Sequence, residues 1–385
     1  VNMRAEADFN RWSPQARSAG IAYPFLESQR WALGELSSAT GASYGAVTSA
    51  FNQRQVDSML LALPNFDWQD ASIQTGVINN VDFSMSGGTE KNTFVLSTNY
   101  TQQSTIFKKV DFKRYGATLG MVNKLSNRIT LRPKLFVSSF EQQIPFATSG
   151  SFLGSPMSAP LIVPVNRIRN ADGSYFGLPP SQALAGILNQ NVIAVNDFNS
   201  GYQRTNQLIG STGLVIKIAS WLTYRGFVSL DYRLVQGAQY RDPRTNDGFG
   251  VQGRGTVESN WNTNFLTNHT LNWEAKIKDE LKVDGLFGME YRRDNFEGIS
   301  AAGIGFPSFA FRTINSAATP ESVGEFWTGY KRVGYFARVN LNYDDRYVLS
   351  VLGRRDGSSR FGINNKFGNF YGLIGTWNMH REGFL

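Results

Sequence analysis

LTYRGFVSLDYRL, residues 222–234, is the stretch whose reading decides the fold. Its even positions are Leu222, Tyr224, Gly226, Val228, Leu230, Tyr232 and Leu234, and its odd positions include Thr223, Arg225, Ser229, Asp231 and Arg233. Strict alternation marks a strand, because successive side chains point to opposite faces. One face of this strand is therefore greasy and the other wet. The stretch is also long: an average strand has ~5–6 residues, whereas crossing a bilayer takes ~9–11.

The pattern recurs on both sides. Ile129, Leu131, Pro133, Leu135 and Val137 alternate with Thr130, Arg132, Lys134 and Phe136. Phe265, Thr267, His269, Leu271, Trp273, Ala275 and Ile277 alternate with Asn268, Thr270, Asn272, Glu274 and Lys276. Leu281, Val283, Gly285, Phe287, Met289 and Tyr291 alternate with Lys282, Asp284, Gly288, Glu290 and Arg292. About twelve strands are expected by this period-2 reading, near 1–10, 77–86, 92–101, 113–123, 128–139, 204–217, 221–235, 262–277, 281–293, 332–342, 346–355 and 369–379.

The expected connections alternate in length. Short turns fall at 87–91, 124–127, 219–220, 278–280 and 343–345, and long segments at 11–76, 102–112, 140–203, 236–261, 294–331 and 356–368. Short on one rim and long on the other is the pattern of a transmembrane antiparallel β-barrel, with periplasmic turns and long extracellular loops. A soluble β-sandwich would have shorter strands, and a propeller would repeat every ~40–50 residues. Within the first loop, AVTSAFNQRQVDSMLLAL (46–63) has helical spacing closed by Pro64.

Composition agrees with a two-faced wall. Hydrophobic residues are 41% and charged residues 18% of the 385, both below the ~45–50% and ~25% of soluble domains, while Phe, Tyr and Trp number 28, 15 and 8. No apolar run nears the ~18 residues of a membrane helix. There are no cysteines and only two histidines, His269 and His380, so thiolate chemistry is excluded and little material exists for a zinc site or a Ser-His-Asp triad. No phosphate-binding glycine loop occurs. The net charge of +8 comes from scattered basic residues, so no nucleic-acid partner is expected. Neither an enzymatic activity, a cofactor nor a metal is expected.

Several motifs resemble those of one family. PNFDWQD (64–70), SMSGGTEKNTFVLSTNY (84–100), DFKRY (111–115), NADGSYF (170–176) and above all YFARVNLNYDDRYVLSVLGRRDGSSRFG (335–362) are similar to segments of the SusC/RagA-like TonB-dependent transporters of the Bacteroidetes outer membrane. The resemblance implies a barrel of about 22 strands, of which this chain would hold about twelve. It also implies import of a large nutrient, an oligosaccharide or a peptide. A SusD-like surface lipoprotein would lid the barrel, and the TonB–ExbB–ExbD system would act through an N-terminal plug. The plug and the C-terminal strands are expected to be absent from this chain. A closed twelve-stranded barrel acting as a passive pore, or a structural subunit of a larger outer-membrane complex, is the alternative.

Alternation assigns Arg132, Lys134, Arg225, Asp231, Arg233, Asn272, Glu274, Glu290, Arg292 and Arg338 to the lumen, where they would solvate the channel and brace neighbours through ion pairs. The long loops carry aromatics, among them Trp12, Tyr23, Phe25, Trp31, Phe146, Phe152, Phe249, Phe306, Phe309 and Phe311. Tyr175, Phe176, Tyr240, Phe326 and Trp327 are the candidates for ligand or lid contact, since flat rings stack on sugars and bury apolar side chains. The plainer role for all of them is loop packing. Asp356–Gly357 reads as a turn, with Arg354, Arg355 and Arg360 free to pair with carboxylates. NADGS (170–174) reads as a turn lacking the downstream Glu of a calcium loop. His269 falls on the apolar face by parity.

Overall fold

The computed structural model describes residues 66–143, 156–162, 166–180, 184 and 190–383. The strand expected at 1–10, the helix at 46–63, and Trp12, Tyr23, Phe25, Trp31, Phe146 and Phe152 lie outside the described residues.

Among the described residues eleven strands form one antiparallel sheet in sequence order. They are β1 Val77–Gly88, β2 Asn92–Ser104, β3 Asp111–Lys124, β4 Ile129–Gln143, β5 Ser200–Ala219, β6 Leu222–Arg241, β7 Arg254–Lys276, β8 Leu281–Ile304, β9 Thr319–Tyr343, β10 Tyr347–Ser358 and β11 Phe367–Trp377. Among the described residues three short α-helices accompany the sheet, α1 Trp68–Ser72 ahead of β1, α2 Val192–Phe198 between β4 and β5, and α3 Asn246–Phe249 between β6 and β7. Among the described residues β1 and β11 are each paired on one side only.

Register carries the two faces across the whole sheet. One hydrogen-bonded row reads Met85, Leu96, Leu119, Leu135, Gly210, Leu230 and Phe265. The same parity holds Val81, Phe83, Val137, Leu208, Val228, Phe287, Val339, Leu341, Leu349, Val351 and Leu373. These side chains are largely exposed, from 36% at Val339 to 71% at Leu373, because a single-layer sheet has nothing of its own to cover them. Aromatic rings gather at both margins: Tyr100 and Tyr115 at 5.0 Å between centroids towards the long connections, and Tyr347 and Trp377 at 6.5 Å beside the short turns.

The rows also climb. Met85 is three residues from the turn end of β1, whereas Arg293, reached along the same row, is twelve from the turn end of β8. Such an offset is what strands tilted ~35–45° produce when a sheet curves towards a barrel. Sharp turns sit at the low rim; at 344–346 Asp344 and Asp345 take φ 52° and 53°, a left-handed pair that Asp tolerates and that suits twisted strands.

The strands on the other rim are longer than the alternation indicates. β7, β8 and β9 have 23, 24 and 25 residues, so the expected loops 236–261 and 294–331 are mostly strand and shrink to 242–253 and 305–318. Asp356–Gly357 likewise continues β10, and the turn follows at 359–366. Once a strand leaves the bilayer both faces meet water, so pairing persists while the apolar/polar alternation that reveals it is no longer required.

Candidate functional site

On the polar face, Arg225, Asp231 and Arg233 alternate along β6, Asp231 stands in one row with Asn264 and Asp294, and Glu290 and Arg292 keep that parity on β8. Leu286, of the same parity, pairs with Arg338. All six residues therefore share one face, and none is buried. Asp231 accepts from Gln207 Nε2 at 3.0 Å, and Arg292 forms a two-pronged bond to Asp294 at 2.8 Å. Arg354 Nε donates to Asp356 at 2.8 Å while its Nη2 lies 3.8 Å from Glu290, two strands away. Gly334, opposite both Glu290 and Asp356, makes this reach feasible: a Cβ there would sit 2.7 Å from Arg354 Nη2. Of the three arginines in RRDGSSRFG, Arg354 alone pairs with carboxylates among the described residues; Arg355 stacks on Phe367 at 4.9 Å and Arg360 on Tyr330 at 4.2 Å.

The most deeply buried side chains are not in the sheet but above its long rim. Trp68, Ala159, Ile162, Leu184 and Val192 form a small core, with Phe66, Ile168, Phe176 and Ile193 against it. Trp68 Nε1 donates to Asn166 O at 3.0 Å. Asn191 caps α2 by accepting from the amides of Ile193 and Ala194, and its Nδ2 donates to Ile168 O and Phe176 O at 2.9 and 2.8 Å. One side chain thus satisfies a helix end and two loop carbonyls.

Guanidinium groups and rings tie this core to the strand tips. Arg169 lies 3.9 Å from the Tyr175 ring, Tyr175 meets Phe198 edge-on at 5.4 Å, and Arg244 is held between Phe198 and Phe309 at 3.9 and 4.0 Å. The wholly buried Asp242 accepts from Arg244 Nε and Nη2 at 2.8 and 2.9 Å, with Arg312 at 3.6 Å. Tyr175 OH donates to Asp197, which also pairs with Lys109 at 2.9 Å. Burial, reinforced by the hydrogen bond to Asp197, pushes the Tyr175 phenol up to about 12. Two hollows open on this platform, one of about 500 Å³ walled by Arg169, Tyr175, Phe198, Arg244 and Phe249, the other of about 520 Å³ and more polar, walled by Lys109, Glu141, Asp197 and Arg312.

The five aromatic candidates do not come together. Tyr175 and Tyr240 are 7% and 3% exposed and serve as packing, Tyr240 against Phe306 at 5.1 Å. Phe176 is half-buried on the loop core. Phe326 and Trp327 are exposed on β9 but point to opposite faces, Phe326 touching Phe296 at 5.0 Å and Trp327 standing opposite Glu297. Sequence reasoning missed Trp68, Asn191, Asp242, Arg244 and Arg312; only Asn191, an Asn ahead of the helical VIAVNDF, carried a readable signal. NADGS forms a tight turn in which Ser174 N and Oγ both donate to Asp172 Oδ1, which holds that carboxyl below its usual range. His269 has both ring nitrogens occupied, Nδ1 with Tyr224 OH at 2.6 Å and Nε2 with Thr267 Oγ1 at 2.8 Å.

A tilted antiparallel wall with one apolar face, one charged face and a folded platform on a single rim defines the class: a transmembrane β-barrel wall. No protein-family profile matches the chain. Among characterised proteins it is 24% identical over 327 residues to TonB-dependent receptor P26 of Formosa agariphila, which covers 84% of this chain and 32% of that receptor. It is 23% identical over 350 residues to TonB-dependent receptor SusC of Bacteroides thetaiotaomicron, covering 84% and 33%. Among solved structures it matches the RagAB peptide transporter with a TM-score of 0.70 at 17% identity, over 84% of this chain and 37% of that one. The chain is thus similar in sequence to TonB-dependent receptors of the SusC kind and shares the wall architecture of RagAB, and it spans about a third of the length of the relatives it matches.

Proposed function

We propose that this chain is part of the wall of an energised outer-membrane importer of the SusC kind. The observation that carries the reading is the coincidence, in one sheet, of a continuous apolar face, a face of paired charges, and an ordered platform on the long rim alone. The apolar face meets outer-membrane lipid and the long rim is extracellular. Arg225, Asp231, Arg233, Glu290, Arg292 and Arg338 line the lumen. The rim platform, together with exposed Phe326 and Trp327, meets the substrate and a SusD-like lipoprotein lid. Oligosaccharides or peptides are the cargo, and the TonB–ExbB–ExbD system supplies the energy through a plug.

The test is genetic and biochemical. Deleting the gene that encodes this chain in its own bacterium is expected to slow uptake of one class of labelled oligosaccharide or peptide, and loss of TonB is expected to give the same defect. A tagged protein is expected to retain a surface lipoprotein through purification. Unchanged uptake, together with steady ion conductance by the purified protein in planar bilayers, would instead establish the passive pore.

A further inference from the structure

The row that starts at Met85 on the apolar face ends, after Phe265, on Arg293 and then Lys331. Two cations thus stand directly opposite each other on neighbouring strands. Like charges in that position repel and destabilise a sheet unless something anionic lies between them. Among the described residues neither has a carboxylate partner; the nearest carboxylate of that parity on β8, Glu297, accepts instead from Trp261 Nε1 at 3.0 Å.

Their height explains what could lie between them. Arg293 is twelve residues above the turn end of β8, and Lys331 equally far above that of β9. At ~3.3 Å per residue and a tilt of ~40°, that is about 30 Å along the barrel axis, just beyond an apolar band ~25 Å tall. Directly below on the same face are Val333, Tyr335, Ala337 and Val339. A cleft of about 210 Å³ opens at this level between Lys331, Lys366, Ser359, Tyr291 and Phe367. The loop after β10 folds over it, since Ser359 N donates to Lys331 O and Ser359 Oγ accepts from Lys331 N, both at 2.9 Å. Arg355, stacked on Phe367 at 4.9 Å, adds a further cation at its edge, and no described carboxylate pairs with Arg355 or Lys366 either.

We infer that this cleft binds the phosphomonoester headgroup of a membrane lipid in the leaflet on the long-loop side. Cations immediately above an apolar band, with hydroxyls between, match a molecule whose charged phosphate tops its acyl chains. A phosphomonoester, with about −1.5 to −2 charges, compensates the cluster better than a phosphodiester with one. The inference rests on the reading that the apolar face meets lipid.

The test compares the full-length protein with its Arg293→Gln/Lys331→Gln variant in nanodiscs of phosphatidylethanolamine doped with monophosphorylated lipid A or, separately, phosphatidylglycerol. Native mass spectrometry after detergent transfer is expected to show one phosphomonoester lipid retained by the parent and at least tenfold less by the variant. Lys331→Glu, which converts the repulsion into a cross-strand ion pair and so should fold well, is expected to lose the lipid too. Equal retention by all three proteins, equal retention of phosphatidylglycerol, or displacement of the lipid by millimolar inorganic phosphate alone would overturn the inference. Membrane-confined labelling of Val228→Cys and Leu230→Cys, run alongside, separates the outcomes: if these sites react while retention is unselective, the lipid-facing reading stands and the headgroup site falls.

Discussion

Replacing Asp242 should loosen the rim platform without touching the membrane wall. Its carboxylate is wholly buried and takes three hydrogen bonds from Arg244, at 3.0 Å from the amide, 2.8 Å from Nε and 2.9 Å from Nη2, with Arg312 at 3.6 Å. Breaking a fully buried pair by removing one partner costs ~3–5 kcal/mol. Arg244 keeps 38% of its side chain exposed, so it regains water when the carboxylate goes. A cost of about 2 kcal/mol follows, equivalent to about a 30-fold rise in local opening at ~1.4 kcal/mol per tenfold. Hydrogen exchange reads it. The Asn199 amide, bonded to Val195 O at 2.9 Å, and the Phe306 amide, bonded to Gln252 O at 2.8 Å, lie on segments that Arg244 and Arg312 clamp. Both should exchange about 30-fold faster in Asp242→Ala, while amides around Val228 stay unchanged. An increase below threefold at Asn199 and Phe306, or equal acceleration in mid-strand, would refute the idea that this carboxylate holds the platform.

Trp68→Ala empties the centre of the loop core and should cost ~3–5 kcal/mol there, read as trypsin cleavage at Arg167 and Arg169 in a protein whose barrel still resists unfolding in detergent. Membrane-confined thiol reagents should label Val228→Cys and Leu230→Cys and spare Arg225→Cys and Arg233→Cys; the reverse pattern would place the charged face in lipid. Tyr175 has its folded value raised to about 12 from an ordinary 10, so the stability its neutral phenol contributes is fully present below pH 10 and lost as pH rises towards 12. Spectrophotometric titration should show a late-ionising tyrosine component that shrinks by one residue in Tyr175→Phe.

What could be read in advance was whatever the bilayer enforces. In 222–234 lipid demands apolar side chains on one face and water demands polar ones on the other, so parity fixed the face of Arg225, Asp231 and Arg233 from thirteen letters. Above the membrane that demand lapses. RGTVESNW at 254–261 and DNFEGISAAGI at 294–304 are paired strands with no alternation to betray them. The platform was hidden for another reason. Trp68, Ala159, Ile162, Leu184 and Val192 meet across more than a hundred residues of chain, and no local period records such a meeting. Composition likewise gives Tyr175 and Trp327 equal standing, although one is enclosed and the other open.

The strictly sequential strand order bears on how such a wall can assemble. Each described strand pairs only with its chain neighbours among the described residues, so hairpins can be added one after another at a single growing edge. The junctions are far from equal in entropy. Four residues link β3 to β4, whereas 56 link β4 to β5. Closing the longer loop costs about 2 kcal/mol more, from the logarithmic dependence of closure entropy on length. The core around Trp68 and the Asn191 cap draw that long connection back onto itself. The platform therefore also acts as a clasp, shortening the effective tether and holding the two largest runs of the sheet in register.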